Sequence, residues 1–128
     1  MLPLRYPWLW MIPGWALVLA VATGTLVPGP MLKTVAFNDK LEHASAYFVL
    51  MLWFGGLYSR KRLPMVALAL FLLGFALDLL QLTTNTRTFD LRDVAANGCG
   101  ILAGLVLAFA LLGGWCQRVE RLWWARRA

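Results

Sequence analysis

A chain of 128 residues that is 61% hydrophobic and 14% charged, with a mean hydropathy of +0.69, lacks the polar surface to cover itself as a water-soluble globule. Its formal charge of +6 comes from 12 Lys and Arg against 6 Asp and Glu. The basic residues sit in short clusters beside apolar runs, and no stripe of base-stacking aromatics accompanies them, so nucleic acid is not an expected partner.

Four apolar runs, taken in chain order, predict an all-α integral membrane four-helix bundle forming one domain over 1–128. They cover 8–27, 41–58, 63–82 and 94–116, each close to the ~20 residues that cross a ~30 Å hydrocarbon core. Pro28, Gly29 and Pro30, then Arg60, Lys61 and Arg62, then 83–90 punctuate them as loops. The first run, with Arg5 before it and Ala20-Val21-Ala22 inside it, imitates a cleavable secretory signal. It continues to Val27, beyond the ~7–15 residues of a signal core, and is expected to stay as a span, kinked near Pro13 and Gly14. Cys99 and Cys116 fall on the same predicted fourth helix, ~25 Å apart at helical rise, and are expected to pack rather than to pair.

Sorting the basic residues by alternating sides puts Arg5, Arg60, Lys61, Arg62, Arg118, Arg121, Arg126 and Arg127 on one side, and Lys33, Lys40, Arg87 and Arg92 on the other. The positive-inside rule then predicts a multi-pass cell-membrane protein with both termini cytoplasmic. The tail 117–128, with Trp123 and Trp124 among four arginines, is expected to anchor at the interface, its indoles at headgroup level and its cations on anionic lipid.

The acidic residues follow a sharper pattern. Asp39, Glu42, Asp78, Asp90 and Asp93 lie in or beside the two outward loops, and only Glu120 is on the cytoplasmic side. Near the start of the second helix, with Asn38 as candidate N-cap, Asp39, His43 and Tyr47 recur at i, i+4 and i+8 and form one stripe, flanked by Lys40 and Glu42. On the third helix Asp78 and Gln81 are i, i+3 neighbours, with Arg87 and Arg92 in the next loop as candidate partners. On the fourth, Asp90, Asp93, Asn97, Gly100 and Gly104 make a single face whose lower half is G-x-x-x-G, a spacing that lets membrane helices approach closely.

The segments N-D-K-L-E-H-A-S-A-Y, L-D-L-L-Q and R-T-F-D-L-R-D-V-A-A-N-G-C-G resemble the three signature blocks of the VanZ-like membrane proteins: D-K-x-x-H with a following aromatic, E-x-x-Q, and R followed by D-x-x-x-N-x-x-G. The matching positions are Asp39, Lys40, His43 and Tyr47, then Asp78 and Gln81, then Arg87, Asp93, Asn97 and Gly100, within the stretch from Asp39 to Gly104. The usual glutamate of the second block is Asp78 here, a carboxylate shorter by one methylene. The resemblance implies a small helical membrane protein of the cell envelope, in a family named for a protein associated with low-level resistance to the glycopeptide teicoplanin. It supplies no reaction.

Ionisable residues at membrane depth are functional candidates by default. His43, Asp78 and Asp93 are the candidates for acid/base chemistry. Asp39, Lys40, Tyr47, Gln81, Arg87, Asp90, Arg92 and Asn97 are the candidates for holding a ligand, with arginine suited to phosphate or carboxylate. The expected partners are membrane lipids and an anionic amphiphile such as a lipid-linked envelope precursor in the outer leaflet. The competing expectation is a polar lock that only fixes helix register. No cofactor is expected. Asp39 with His43 and Asp78 or Asp93 is a lesser divalent-cation alternative, and no H-E-x-x-H motif is present. A transport role would require homo-oligomerisation, because four spans enclose little.

Overall fold

The structure, a computed structural model, describes residues 1–26, 39–84 and 90–127. All regular structure among them is helical. The helices are α1 (Pro7–Leu26), α2 (Asp39–Gly55), α3 (Leu63–Gln81), α4 (Leu91–Leu107) and α5 (Trp115–Ala125), with a 3-10 turn at Arg60–Arg62 leading into α3 and another at Leu82–Thr84 leaving it. Three stretches are long and apolar enough to cross a bilayer: Pro7–Leu26, Arg60–Gln81 and Leu91–Leu112. α2, with 17 residues, is not among them, and its first turn is polar.

Two of the expected boundaries move for identifiable reasons. α4 starts at Leu91, ahead of the expected Val94, because Asp90 holds an extended backbone and accepts a hydrogen bond from the Arg92 N–H at 2.9 Å, which satisfies one of the donors a helix start leaves open. The expected run to Cys116 breaks earlier. α4 widens into a π turn over Ala108–Leu112, and Gly114 adopts φ of 69°, a left-handed conformation that only glycine enters freely. Trp115 then opens α5, so Cys99 and Cys116 lie on different helices, the first exposed and the second buried. The anchor expected at 117–128 is mostly this helix. α1 runs through Pro13 without interruption, and Gly14 beside it rests on the Trp53 indole.

α2 and α4 pack side by side and run in the same direction. A Cβ built on Gly100 would sit 2.1 Å from the Ala44 carbonyl oxygen, and one on Gly104 would sit 2.8 Å from Met51 Cβ. Further along, Gly55 meets Ala108, so each contact advances along both helices together. The two backbones are closer than any side chain at Gly100 permits, as G-x-x-x-G packing requires. α3 returns in the opposite sense, with Leu63 near Gly55 and Gly74 near Tyr47 and Asn97. α1 lies against α2 at Gly14 and reaches Gln81 of α3 at Thr25.

This arrangement gives the bundle two unlike ends. The start of α2, the end of α3 and the start of α4 share one. The N-terminal stretch and α5 share the other, where the Leu2 N–H bonds the Leu57 carbonyl at 2.7 Å and the Gln117 amide bonds the Pro3 carbonyl at 2.9 Å. Between them the outward surface is apolar: Leu19, Met65, Leu68, Leu102 and Val106 are all exposed, which suits a hydrocarbon surrounding and not water.

Candidate functional site

At the first end side chains singled out from sequence form two groups. Lys40, in the first turn of α2, contributes its ammonium to both carboxylates at the start of α4: 3.1 Å from Asp90 Oδ2, and closer still to Asp93 Oδ1. Asp93 is buried and Asp90 is half-exposed. The Arg92 N–H and then the Lys40 ammonium hold the Asp90 carboxyl below its usual range. Lys40, expected to flank the His43 stripe and to help hold a ligand, is here paired with two acids, because the parallel packing of α2 on α4 brings both to its tip.

One turn deeper, His43 Nδ1 lies 3.1 Å from Asn97 Oδ1, and Asn97 Nδ2 donates to Asp78 Oδ2 at 3.3 Å. The amide orientation sets the imidazole: an Nδ1 facing a carbonyl oxygen must carry its proton. Asn97 thus joins α2 to α3 through α4, and all three residues are buried. Tyr47 is buried on the same stripe as His43. A Cβ on Gly74 would meet the Tyr47 hydroxyl oxygen at 2.9 Å and Asn97 Nδ2 at 3.0 Å, so the missing side chain on α3 is what lets phenol and amide lie against it. Gln81, on the face of Asp78, turns instead to α1, where its amide donates to the Thr25 carbonyl.

The structure thus brings His43, Asp78 and Asn97 into one hydrogen-bonded chain, and Lys40, Asp90 and Asp93 into one ion-paired group a helical turn above it. It does not bring Arg92 in: that side chain is exposed, as is Glu42. Arg87, Asn38 and the side chain of Asp39 lie outside the described residues. Among the described residues no three His, Cys, Asp or Glu side chains cluster as a metal site. Hydrogen bonds between membrane helices contribute roughly 0.6–2 kcal/mol each, so the chain through Asn97 stabilises the bundle whatever else it does.

The opposite end holds a polar group that sequence reasoning missed. Glu120, the acid expected to be an isolated cytoplasmic charge, is buried and accepts three hydrogen bonds: from the Arg5 N–H at 2.8 Å, the Trp10 indole at 2.9 Å and the Tyr6 N–H at 3.3 Å. Burial alone would push its carboxyl up, but these donors and the nearby Arg5 charge outweigh it and hold it below the usual value. The carboxylate also faces the start of α1, where the helix dipole favours negative charge. Around it Trp10, Trp53 and Trp115 pack edge to face or tilted, with centroids 5.3 to 6.1 Å apart. The Trp53 and Trp115 indoles donate to the carbonyls of Trp10 and Leu52, each at 2.9 Å. A signal was present: Cys116, Glu120 and Trp124 recur at i, i+4, i+8 on one helical face.

These features define a small helical membrane protein with a polar chain buried across three of its helices at one end. The chain belongs to the VanZ/LLP1 family, whose model matches residues 11–112, a span that takes in most of α1 as well as the three blocks. No curated protein and no solved structure matches it.

Proposed function

We propose that the chain crosses the membrane four times, with α2 as the fourth span and both termini in the cytoplasm. We also propose that the polar chain at the outer face is the floor of a pocket for an anionic amphiphile, a phosphorylated lipid carrier or lipid-linked envelope precursor. The observation that carries this reading is the gathering of Lys40, His43, Asp78, Asp93 and Asn97, from three helices, at one end of a chain that is 61% hydrophobic. Placing an ionisable group in a membrane helix costs up to about 2.5–3.5 kcal/mol at its centre and less near its ends, and pinning three helices needs fewer such groups. Lys40 offers an ammonium that can exchange one of its two carboxylates for a headgroup phosphate, with Arg92 and Arg87 as further cations.

In this reading a change in teicoplanin sensitivity follows from the same site, which alters the availability of an envelope lipid or of the lipid-bearing antibiotic. His43, Asp78 and Asp93 are the groups that would perform acid/base chemistry if the bound lipid phosphate is turned over. A second reading, the polar lock, is favoured by the closure of His43, Asn97 and Asp78 on one another.

The deciding experiment measures binding of polyprenyl phosphate and lipid-linked wall precursor to the reconstituted wild type, Lys40→Gln and Arg87→Ala. Saturable binding weakened in both variants is expected. No binding to the wild type, or equal binding to all three, sinks the proposal in favour of the lock. Conversion of the bound lipid by the wild type but not by His43→Ala or Asp78→Asn would make the protein an enzyme.

A further inference from the structure

The seam between α1 and α5, remote from the polar chain, has the features of a second lipid site. α5 turns Cys116 and Glu120 into the bundle, exposes Val119, Leu122 and Trp123, and carries Gln117, Arg118 and Arg121 on its remaining side. A helix with an apolar stripe, a basic stripe and one side docked on the protein lies in the plane of a membrane interface. Two cavities open along the seam, one on either side of Glu120. The first, of about 230 Å³, is walled by Tyr6, Leu9, Trp10, Val119 and Trp123 and is apolar. The second, of about 450 Å³, is walled by Pro3, Arg5, Gln117, Arg121 and Trp124.

The second cavity has unused binding capacity. Among the described residues neither Arg5 nor Arg121 forms an ion pair through its guanidinium; Arg5 is stacked on the Trp124 ring at 4.0 Å. The Trp124 indole N–H is buried and has no acceptor, a state that buried donors rarely keep. Glu120 contributes an opposing charge, but its two oxygens already serve three donors, and two guanidiniums outnumber it.

We propose that this seam binds one anionic phospholipid of the surrounding leaflet. An acyl chain lies in the apolar groove between Leu9 and Trp123, and the phosphate sits between Arg5 and Arg121, within reach of the Trp124 N–H. A planar guanidinium matches phosphate in geometry as well as charge. The juxtaposition of an apolar groove, two unpaired cations and an orphaned donor selects a lipid over a soluble anion, which would leave the groove empty.

The test uses the full chain in phosphatidylcholine nanodiscs that contain a minor fraction of either brominated-chain phosphatidylglycerol or brominated-chain phosphatidylcholine, read by tryptophan quenching. At equal fraction the anionic lipid is expected to occupy the seam with a preference of roughly fivefold or more, the size expected of a basic side chain near an anionic headgroup. That preference should vanish in Arg5→Gln/Arg121→Gln and persist in Lys61→Gln/Arg62→Gln, whose exposed cations lie at the same end but line neither cavity. Arg5 holds Glu120 through its backbone N–H, which the glutamine retains. Should the double variant nonetheless shift tryptophan emission in unbrominated discs, Arg121→Gln alone decides. Equal loss in both pairs would reduce the effect to a surface field, and absence of preference in the wild type, or a dimer that shields the groove, would overturn the site.

Discussion

The two ends of the bundle solve the problem of polar groups in an apolar chain differently. At the α5 end one carboxylate, Glu120, answers three donors around the start of α1, and each indole of the Trp10, Trp53 and Trp115 cluster has one acceptor. These hydrogen bonds are explained by the need to close the bundle. At the other end charges of both signs are stacked in two tiers, Lys40 with Asp90 and Asp93, then His43 with Asn97 and Asp78. A latch needs one carboxylate. The other end joins three carboxylates and a histidine among the described residues, and that surplus is the ground for the site proposed there.

Four measurements break or sharpen this contrast. The largest effect belongs to Gly100→Val, which forces side-chain atoms onto the Ala44 carbonyl of a neighbouring helix. Overpacking against backbone should cost about 3 kcal/mol or more, seen as a collapsed unfolding midpoint in detergent. Gly24→Val, where a Cβ meets nothing within 4 Å, should leave the midpoint unchanged. If both variants behave alike, α2 and α4 are not in close contact.

Next is Asn97→Leu, which removes the hydrogen bonds that Asn97 makes with His43 and Asp78. With two buried groups each losing one hydrogen bond at about 0.5–1.5 kcal/mol, the unfolding midpoint should fall while tryptophan emission of the folded state stays constant. All seven tryptophans lie toward the Glu120 end, so the spectrum reports that end alone. A spectral shift in this variant would show the two ends to be coupled.

Glu120 gives a smaller, pH-dependent effect. Its folded carboxyl is held below the usual value, so the latch contributes fully above the ordinary glutamate range near ~4.3 and is lost as pH falls through the still lower folded value. Tryptophan emission should be flat from neutral pH into the mildly acidic range and then shift as α5 detaches. Glu120→Gln should show no such transition at any pH.

The smallest effect is expected of Asp90→Asn. Asparagine caps a helix as well as aspartate does, and an exposed ion pair contributes little. Unfolding should be unchanged, and a clear loss would mean that Asp90 belongs to the buried tier.

Much of this molecule follows from the order of its residues. The apolar runs, the all-helical class, the shared face of His43 and Tyr47, and the face that carries Asp93, Asn97, Gly100 and Gly104 are all periodicities, and a helix displays its own period without help from neighbours. The breaks were less legible. Gly113 and Gly114 sit inside an apolar run, and nothing local announces that the chain turns there into an amphipathic α5. Sequence also located the acids of one end but not the division of Asp78, Asp90 and Asp93 into an ion-paired tier and a hydrogen-bonded one.

What tertiary structure alone decided was adjacency. Lys40 reads as a cation available to a ligand until α2 and α4 are known to lie in parallel contact, which places Asp90 and Asp93 at its ammonium. Asn97 reads as one polar residue among several until α3 brings Asp78 to its other side. Glu120 reads as a stray acid until the N-terminal stretch, 115 residues away in sequence, delivers the Arg5 N–H to its carboxylate. The physical reason is the same in each case: a period specifies which side chains share a face, whereas their partners depend on how separate helices pack, through contacts whose two halves lie far apart in the chain.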